Sequence, residues 1–176
     1  MGTFIIVLIS AILGVLIYAA RKPDSFRVER SISIPATPEH IFPLLNDFHQ
    51  WEAWSPWEKI DPAVQRIYHS TTAGVGATYE WKGNNKVGHG KMEIIESIPS
   101  TRVRLKIDFI SPFEAHNTVE FTLTPQGNTT LLTQAMYGPS PFISKLVSMF
   151  CSMDKMVGEK YEQGLASIKT LATQST

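Results

Sequence analysis

Few residues of this 176-residue chain are suited to chemistry, and their spacing does not favour catalysis. Asp47, His49 and Glu52 stand close enough to suggest a metal cluster, with imidazole and carboxylate ligands. On a helix, however, positions i and i+2 diverge, so the three do not share one face and read better as a solvated surface. His116 falls on the outward parity of its strand and reads as a surface residue. Cys151, the single cysteine, has no sequence neighbour that would lower its thiol pKa and reads as buried and inert. Gly83 to Gly90 is glycine-rich but lacks the Lys-Ser/Thr ending of a phosphate-binding loop, so a hairpin turn is expected there. No His-Glu-x-x-His, Gly-x-Ser-x-Gly or Cys-x-x-Cys spacing occurs. The residues therefore nominate no catalytic group, no metal and no cofactor.

Other residues are better fitted to holding an apolar molecule. Arg30 shares the parity of Val28 and Ile32, so it points toward the interior. There it either pairs with a carboxylate such as Glu80 or Glu93, or anchors a cargo head group through its planar guanidinium. Met149, Met153 and Met156 recur at helical spacing, with Met136 on a strand. They read either as plain core or as the polarisable wall of a pocket that accepts varied apolar cargo. Trp51, Trp54, Trp57, Tyr79 and Trp81 either rim such a pocket or plug its end.

The elements that must position these residues follow from periodicity. Phe26, Val28, Ile32 and Ile34 alternate with polar neighbours as a half-buried strand that Pro35 stops. Thr37 and Pro38 open a short helix, and a second short helical piece from Asp47 carries Phe48, Trp51 and Trp54 until Pro56. Strand patterns follow at 64–70, 77–82, 90–98, 102–109, 118–123 and 129–137, separated by Gly and Asn turns; the facing of the last is left unassigned. From Ser140, apolar residues at gaps of three and four predict one long helix to Leu171, with a break near Gly158. Strands followed by a terminal helix make an α+β domain.

The first twenty residues are different in kind. Phe4 to Ala20 is an uncharged, mostly apolar run followed by Arg21 and Lys22. At about 20 residues per bilayer crossing, with about 17 as the lower limit, it reads as an uncleaved transmembrane anchor. It lacks the basic n-region and cleavage site of a signal peptide, and Gly2 is not followed by a myristoylation pattern. A buried core helix is the competing reading. Arg21, Lys22, Arg27 and Arg30 after the run place the C-terminal domain in the cytoplasm, at the inner (plasma) membrane. The lone cysteine agrees with a reducing compartment. The predicted organisation is an anchor over 1–22, a linker over 23–25, one domain over 26–172 and a polar tail over 173–176. Zero net charge and the absence of a basic patch argue against a nucleic-acid partner.

Several motifs resemble one family in their order. These are Val28-Glu-Arg-Ser-Ile-Ser-Ile before Pro35-Ala36, Trp51-Glu-Ala-Trp54-Ser-Pro-Trp57 before Asp61-Pro62, Gly74-Val-Gly-Ala-Thr-Tyr-Glu-Trp81, Gly88-His-Gly-Lys-Met-Glu-Ile, Phe109 with Pro112, and Gly164-Leu165 ahead of Lys169. Together they resemble the Bet v 1-like, START-related (SRPBCC) superfamily, in its polyketide cyclase/dehydrase-like branch. The resemblance implies a helix-grip fold: a curved antiparallel sheet around a long C-terminal helix, with a hydrophobic cavity between them. The expected cavity residues are Arg30, Trp51, Trp54, Tyr79, Trp81, Met92, Phe109, Phe121, Met136, Met149, Met153 and Tyr161. The implied function is membrane-anchored binding of a lipid, quinone or polyketide-like molecule for carriage or sequestration. A cyclase, dehydratase or hydrolase using the same cavity, and a tethered protein-interaction module of co-chaperone type, remain as alternatives. Chemistry does not transfer with a fold.

Overall fold

The computed structural model describes residues 2–69, 71–149 and 152–174, with side chains from Phe4 onward. Phe150 of the apolar stripe, Cys151 and the end of the expected tail lie outside them. Strand β1 (Ser25–Ile34) begins inside the expected linker and buries Val28 and Ile34 on one face. Pro35 ends it, since a proline cannot continue the hydrogen-bond ladder. Helix α2 (Pro38–Asn46) starts on proline after Thr37, which stands at the N-cap position without a side-chain capping bond. A 3-10 turn at Phe48–Gln50, helix α3 (Trp51–Trp54) and a second 3-10 turn at Pro56–Lys59 follow.

Six strands then run consecutively: β2 (Gln65–His69), β3 (Thr78–Lys82), β4 (His89–Ile98), β5 (Arg102–Ser111), β6 (Ala115–Gln126) and β7 (Thr129–Pro139). They form one antiparallel sheet in the order β1-β7-β6-β5-β4-β3-β2, closed on one side by the return of β7 to β1. Register shifts at His89/Gly90 and Ile94/Glu96 bend β4. Where Trp81 faces Gly90 across the β3–β4 pair, the indole lies over the glycine, and any Cβ there would fall inside the ring. The glycine is thus required by a close approach.

The terminal helix departs from expectation. Instead of one rod from Ser140, helix α4 (Phe142–Val147) precedes helix α5 (Met153–Gln174), and the interruption lies before Met153. Gly158 sits unbroken inside α5, buried beneath Arg30. α5 also runs through Thr173 and Gln174, expected as tail. It packs along β1 and against β7, α2 and α3, and its inward side chains Val157, Tyr161, Leu165 and Ile168 join the core under the sheet.

Helix α1 (Gly2–Ala20) ends against α4. Lys22 Nζ donates to Ser148 Oγ at 2.8 Å, and the largely buried Lys145 ammonium meets Asp24 at 2.6 Å. That contact, through hydrogen bond and charge, holds the Asp24 carboxyl below the usual carboxylate range. The expected bilayer span is not met. Among the described residues no helix is long and apolar enough to cross a membrane.

Candidate functional site

A cavity of about 510 Å³ lies between the concave face of the sheet and α5. That is within the range of about 300–1,000 Å³ usual for small-molecule sites. Strand alternation supplies one wall: Tyr79 and Trp81 of β3, Met92 of β4, Ile107 and Phe109 of β5, Asn117 and Val119 of β6, Gln134 and Met136 of β7. α5 supplies the opposite wall through Met153, Met156, Val157, Lys160, Tyr161 and Gly164. Trp51, Trp54 and the turn Ser55 to Glu58 close one end.

The tryptophan end is both plug and lining. Trp51 and Trp54 are buried, and each indole N–H is satisfied by a backbone carbonyl, Leu45 at 3.1 Å and Leu44 at 2.8 Å. Both rings stand edge-on to the fully buried Phe121, at 5.9 and 6.0 Å between centroids. The other side is open. Phe113, Met153 and Met156 border the cavity with large exposed apolar surfaces, Phe113 being 82% exposed. Asp61 fastens one lip of this mouth by accepting from Asn84 N–H at 2.7 Å, which fixes the turn bearing Asn85, Lys86 and Val87.

Polar groups in the wall are few. Glu58 has both oxygens engaged, Oε1 by the Tyr79 hydroxyl at 2.7 Å and Oε2 by Arg66 Nε at 2.7 Å. Burial, then the adjacent Glu58 charge, push the Tyr79 hydroxyl well above the usual tyrosine pKa, so it stays protonated. Tyr68, beside it on β2, is pushed up to about 12, first by burial and then by Glu52. Burial likewise keeps the Tyr161 hydroxyl neutral.

Nine expected residues meet around the cavity: Trp51, Trp54, Tyr79, Trp81, Met92, Phe109, Met136, Met153 and Tyr161. Three do not. Phe121 stands behind the tryptophans, and Met149 lies half-buried in the turn after α4. Arg30 is drawn to α5, where Asp154 and Glu162 take its guanidinium, in place of the expected Glu80 or Glu93. Glu80 is turned outward to Lys82, His89 and His69; the bonds to Lys82 and then His89 hold its carboxyl down at about 2. The Asp47 carboxylate accepts from the backbone of His49, while Glu52 reaches Tyr68 and Arg66; no metal-binding group forms among the described residues. His116 is exposed and bonded to Asp108. Residues not singled out from sequence include Asn117, Gln134, Lys160 and Phe113. The parity of Asn117 with Val119 was a signal available for the first.

Comparison with known proteins agrees with this geometry. A family described as polyketide cyclase / dehydrase and lipid transport matches residues 25–173. A crystal structure of a protein from Chromobacterium violaceum aligns at 16% identity and a TM-score of 0.59, covering 86% of this chain and 98% of that one. One from Mesorhizobium loti aligns at 17% identity and 0.61, covering 86% and 99%. A protein of the dynemicin biosynthetic locus aligns at 15% identity and 0.58, covering 88% of this chain and 49% of its own. At such identities the likeness is one of fold. None of the curated proteins matches the chain.

Proposed function

The chain belongs to the polyketide cyclase / dehydrase and lipid transport family, and from that premise we propose that it binds an apolar small molecule beneath its sheet, for carriage or sequestration. The observation that carries this reading is the cavity of about 510 Å³ walled by aromatic and methionine side chains, with an apolar mouth. Burying such a ligand gains about 25 cal/mol per Å² of apolar surface removed from water. Solvent extraction of purified full-length protein, followed by mass spectrometry, tests it. One apolar small molecule recovered per chain is expected; a chain purified from its native source with nothing bound, and unable to take up apolar compounds, contradicts it.

The same reading extends to a membrane. Large apolar side chains of α1 are exposed from Phe4 to Tyr18, and α4 adds Phe142, Ile143 and Val147. The mouth lies at this end of the molecule. The β5–β6 hairpin bearing Phe113 abuts the end of the sheet where Thr118 pairs with Tyr137 and Tyr137 with Arg27. A bilayer surface taking up the exposed apolar side chains of α1 would therefore face the mouth and supply or receive the ligand. Flotation with phosphatidylcholine vesicles tests this: the full chain floats, and a chain lacking α1 stays in solution.

Catalysis is the second reading, and the Glu58–Tyr79 pair favours it, since two titratable side chains converge on the cavity wall. Carriage is preferred because Glu58 is held in a structural pairing, its two oxygens accepting from the Tyr79 hydroxyl and from Arg66.

A further inference from the structure

Away from the cavity, the buried polar side chains are bonded within the protein. Asp61 accepts from two backbone N–H groups, Thr78 and Thr130 donate to carbonyls, and Lys145 donates to Asp24. Asn117, which lines the cavity, is different. It is only 9% exposed, and its carboxamide has no hydrogen-bond partner among the described residues. Neither of its polar atoms is sealed inside the protein, so what it lacks can reach it from the cavity. A few polar groups placed in this way in an apolar wall are what orient a small molecule.

The strand aims this side chain. Asn117 shares the parity of Val119 on β6, so both turn to the concave face, two residues from the hairpin that bears Phe113. Ile107 of β5 pairs with it on one side. On the other stands Gly138 of β7, where any Cβ would run into the Asn117 carboxamide oxygen. The oxygen arm is packed against the β7 backbone, and the amine arm offers its two N–H donors to the cavity. The charges at the mouth have the same character. Lys86 and Lys160 both line the cavity, and neither meets a carboxylate; the Lys160 ammonium reaches only the Gln163 amide oxygen, at 3.4 Å. The acidic side chains nearby are committed, Glu58 to Arg66, Asp154 to Arg30 and Glu114 to His116. Asn117, Lys86 and Lys160 are thus three uncommitted donors, two of them cations.

We propose that the ligand is an amphiphile ending in a carboxylate. Its apolar body fills the cavity, a carboxylate oxygen accepts from the Asn117 amine, and Lys86 and Lys160 balance its charge at the mouth. This deepens the apolar-ligand reading and rests on it. The mouth is open to water, so the head keeps part of its hydration and avoids the full cost of burying a charge. A hydrocarbon leaves the Asn117 amine without an acceptor. An ester supplies the acceptor but gains nothing from the lysines, and an alkylammonium supplies none and is repelled by them.

The test uses full-length protein and displacement of the fluorescent probe N-phenyl-1-naphthylamine by three compounds of one chain length: dodecanoate, methyl dodecanoate and dodecylammonium. Dodecanoate is expected to bind about tenfold tighter than its ester, although the ester is the more apolar. In the double variant Lys86→Met, Lys160→Met that ratio falls to about one. In Asn117→Leu it falls about threefold, because an ionised acceptor loses more than a neutral one when the donor goes. The ratio is internal to each variant and so is independent of overall affinity, and the lysine variant serves if Asn117→Leu fails to fold. Ester or ammonium binding as tight as the carboxylate's in the unaltered protein, or a ratio unchanged in either folded variant, overturns the proposal while leaving the cavity reading intact. Failure of the probe itself to bind overturns both.

Discussion

The guanidinium of Arg30 lies flat across Gly158, held by carboxylates one helical turn to either side: Asp154 at 3.0 Å and Glu162 at 2.7 Å. Residues 154, 158 and 162 share one face of α5, so the missing side chain in the middle makes the groove that β1's arginine crosses. Alanine at 158 would gain about 1 kcal/mol of helix propensity, but its Cβ would displace the guanidinium from both partners. We expect Gly158→Ala to destabilise the protein by about 1–2 kcal/mol, as overpacking does. In an Arg30→Ala background the same change should stabilise by about 0.5–1 kcal/mol. Urea unfolding of the four proteins checks the sign reversal; additive effects would mean that Arg30 and Gly158 are not coupled.

Phe121 carries the closed end of the cavity, since both tryptophan rings rest edge-on against it. Phe121→Ala should cost about 3–5 kcal/mol, the usual range for a buried phenylalanine. Intrinsic tryptophan fluorescence should shift to the red in the folded variant. A melting temperature equal to the parent's would show that the tryptophans are supported elsewhere.

His116 should titrate above its ordinary value of about 6.5, chiefly through its hydrogen bond to Asp108, with Glu114 adding to it. A raised folded-state pKa means that the contact stabilises fully below the unfolded pKa and is lost as pH rises through the folded one. The stability advantage over His116→Gln should therefore be largest near pH 6 and shrink toward pH 8. NMR titration of the imidazole checks the midpoint, which should fall in Asp108→Asn.

Much of this arrangement was legible in the residues because strands with one buried face must alternate. The alternation from Arg102 to Phe109 and from Thr118 to Leu123 placed β5 and β6 and faced Phe109 inward correctly. β7 defeated the same reading. Thr130, Leu132, Gln134, Ala135 and Met136 are all buried, and only pairing with β1 and β6 decides which of them meet the cavity. Gln134 was therefore out of reach, as its polarity marks it for the surface. Helix propensity misplaced the break at Gly158, where tertiary packing against Arg30 prevails. The partners of Arg30 were missed for a related reason, since they come from a helix 124 and 132 residues further along the chain.

The most direct test of a ligand-binding cavity is to fill it. Val119 and Met136 are paired neighbours on β6 and β7 and both line its wall. Titration of full-length protein with N-phenyl-1-naphthylamine should show saturable binding of one molecule per chain. Val119→Trp or Met136→Trp should weaken it at least tenfold while the fold, followed by far-ultraviolet circular dichroism, is retained. Binding that does not saturate, or that persists unchanged when the cavity is filled, would contradict the account.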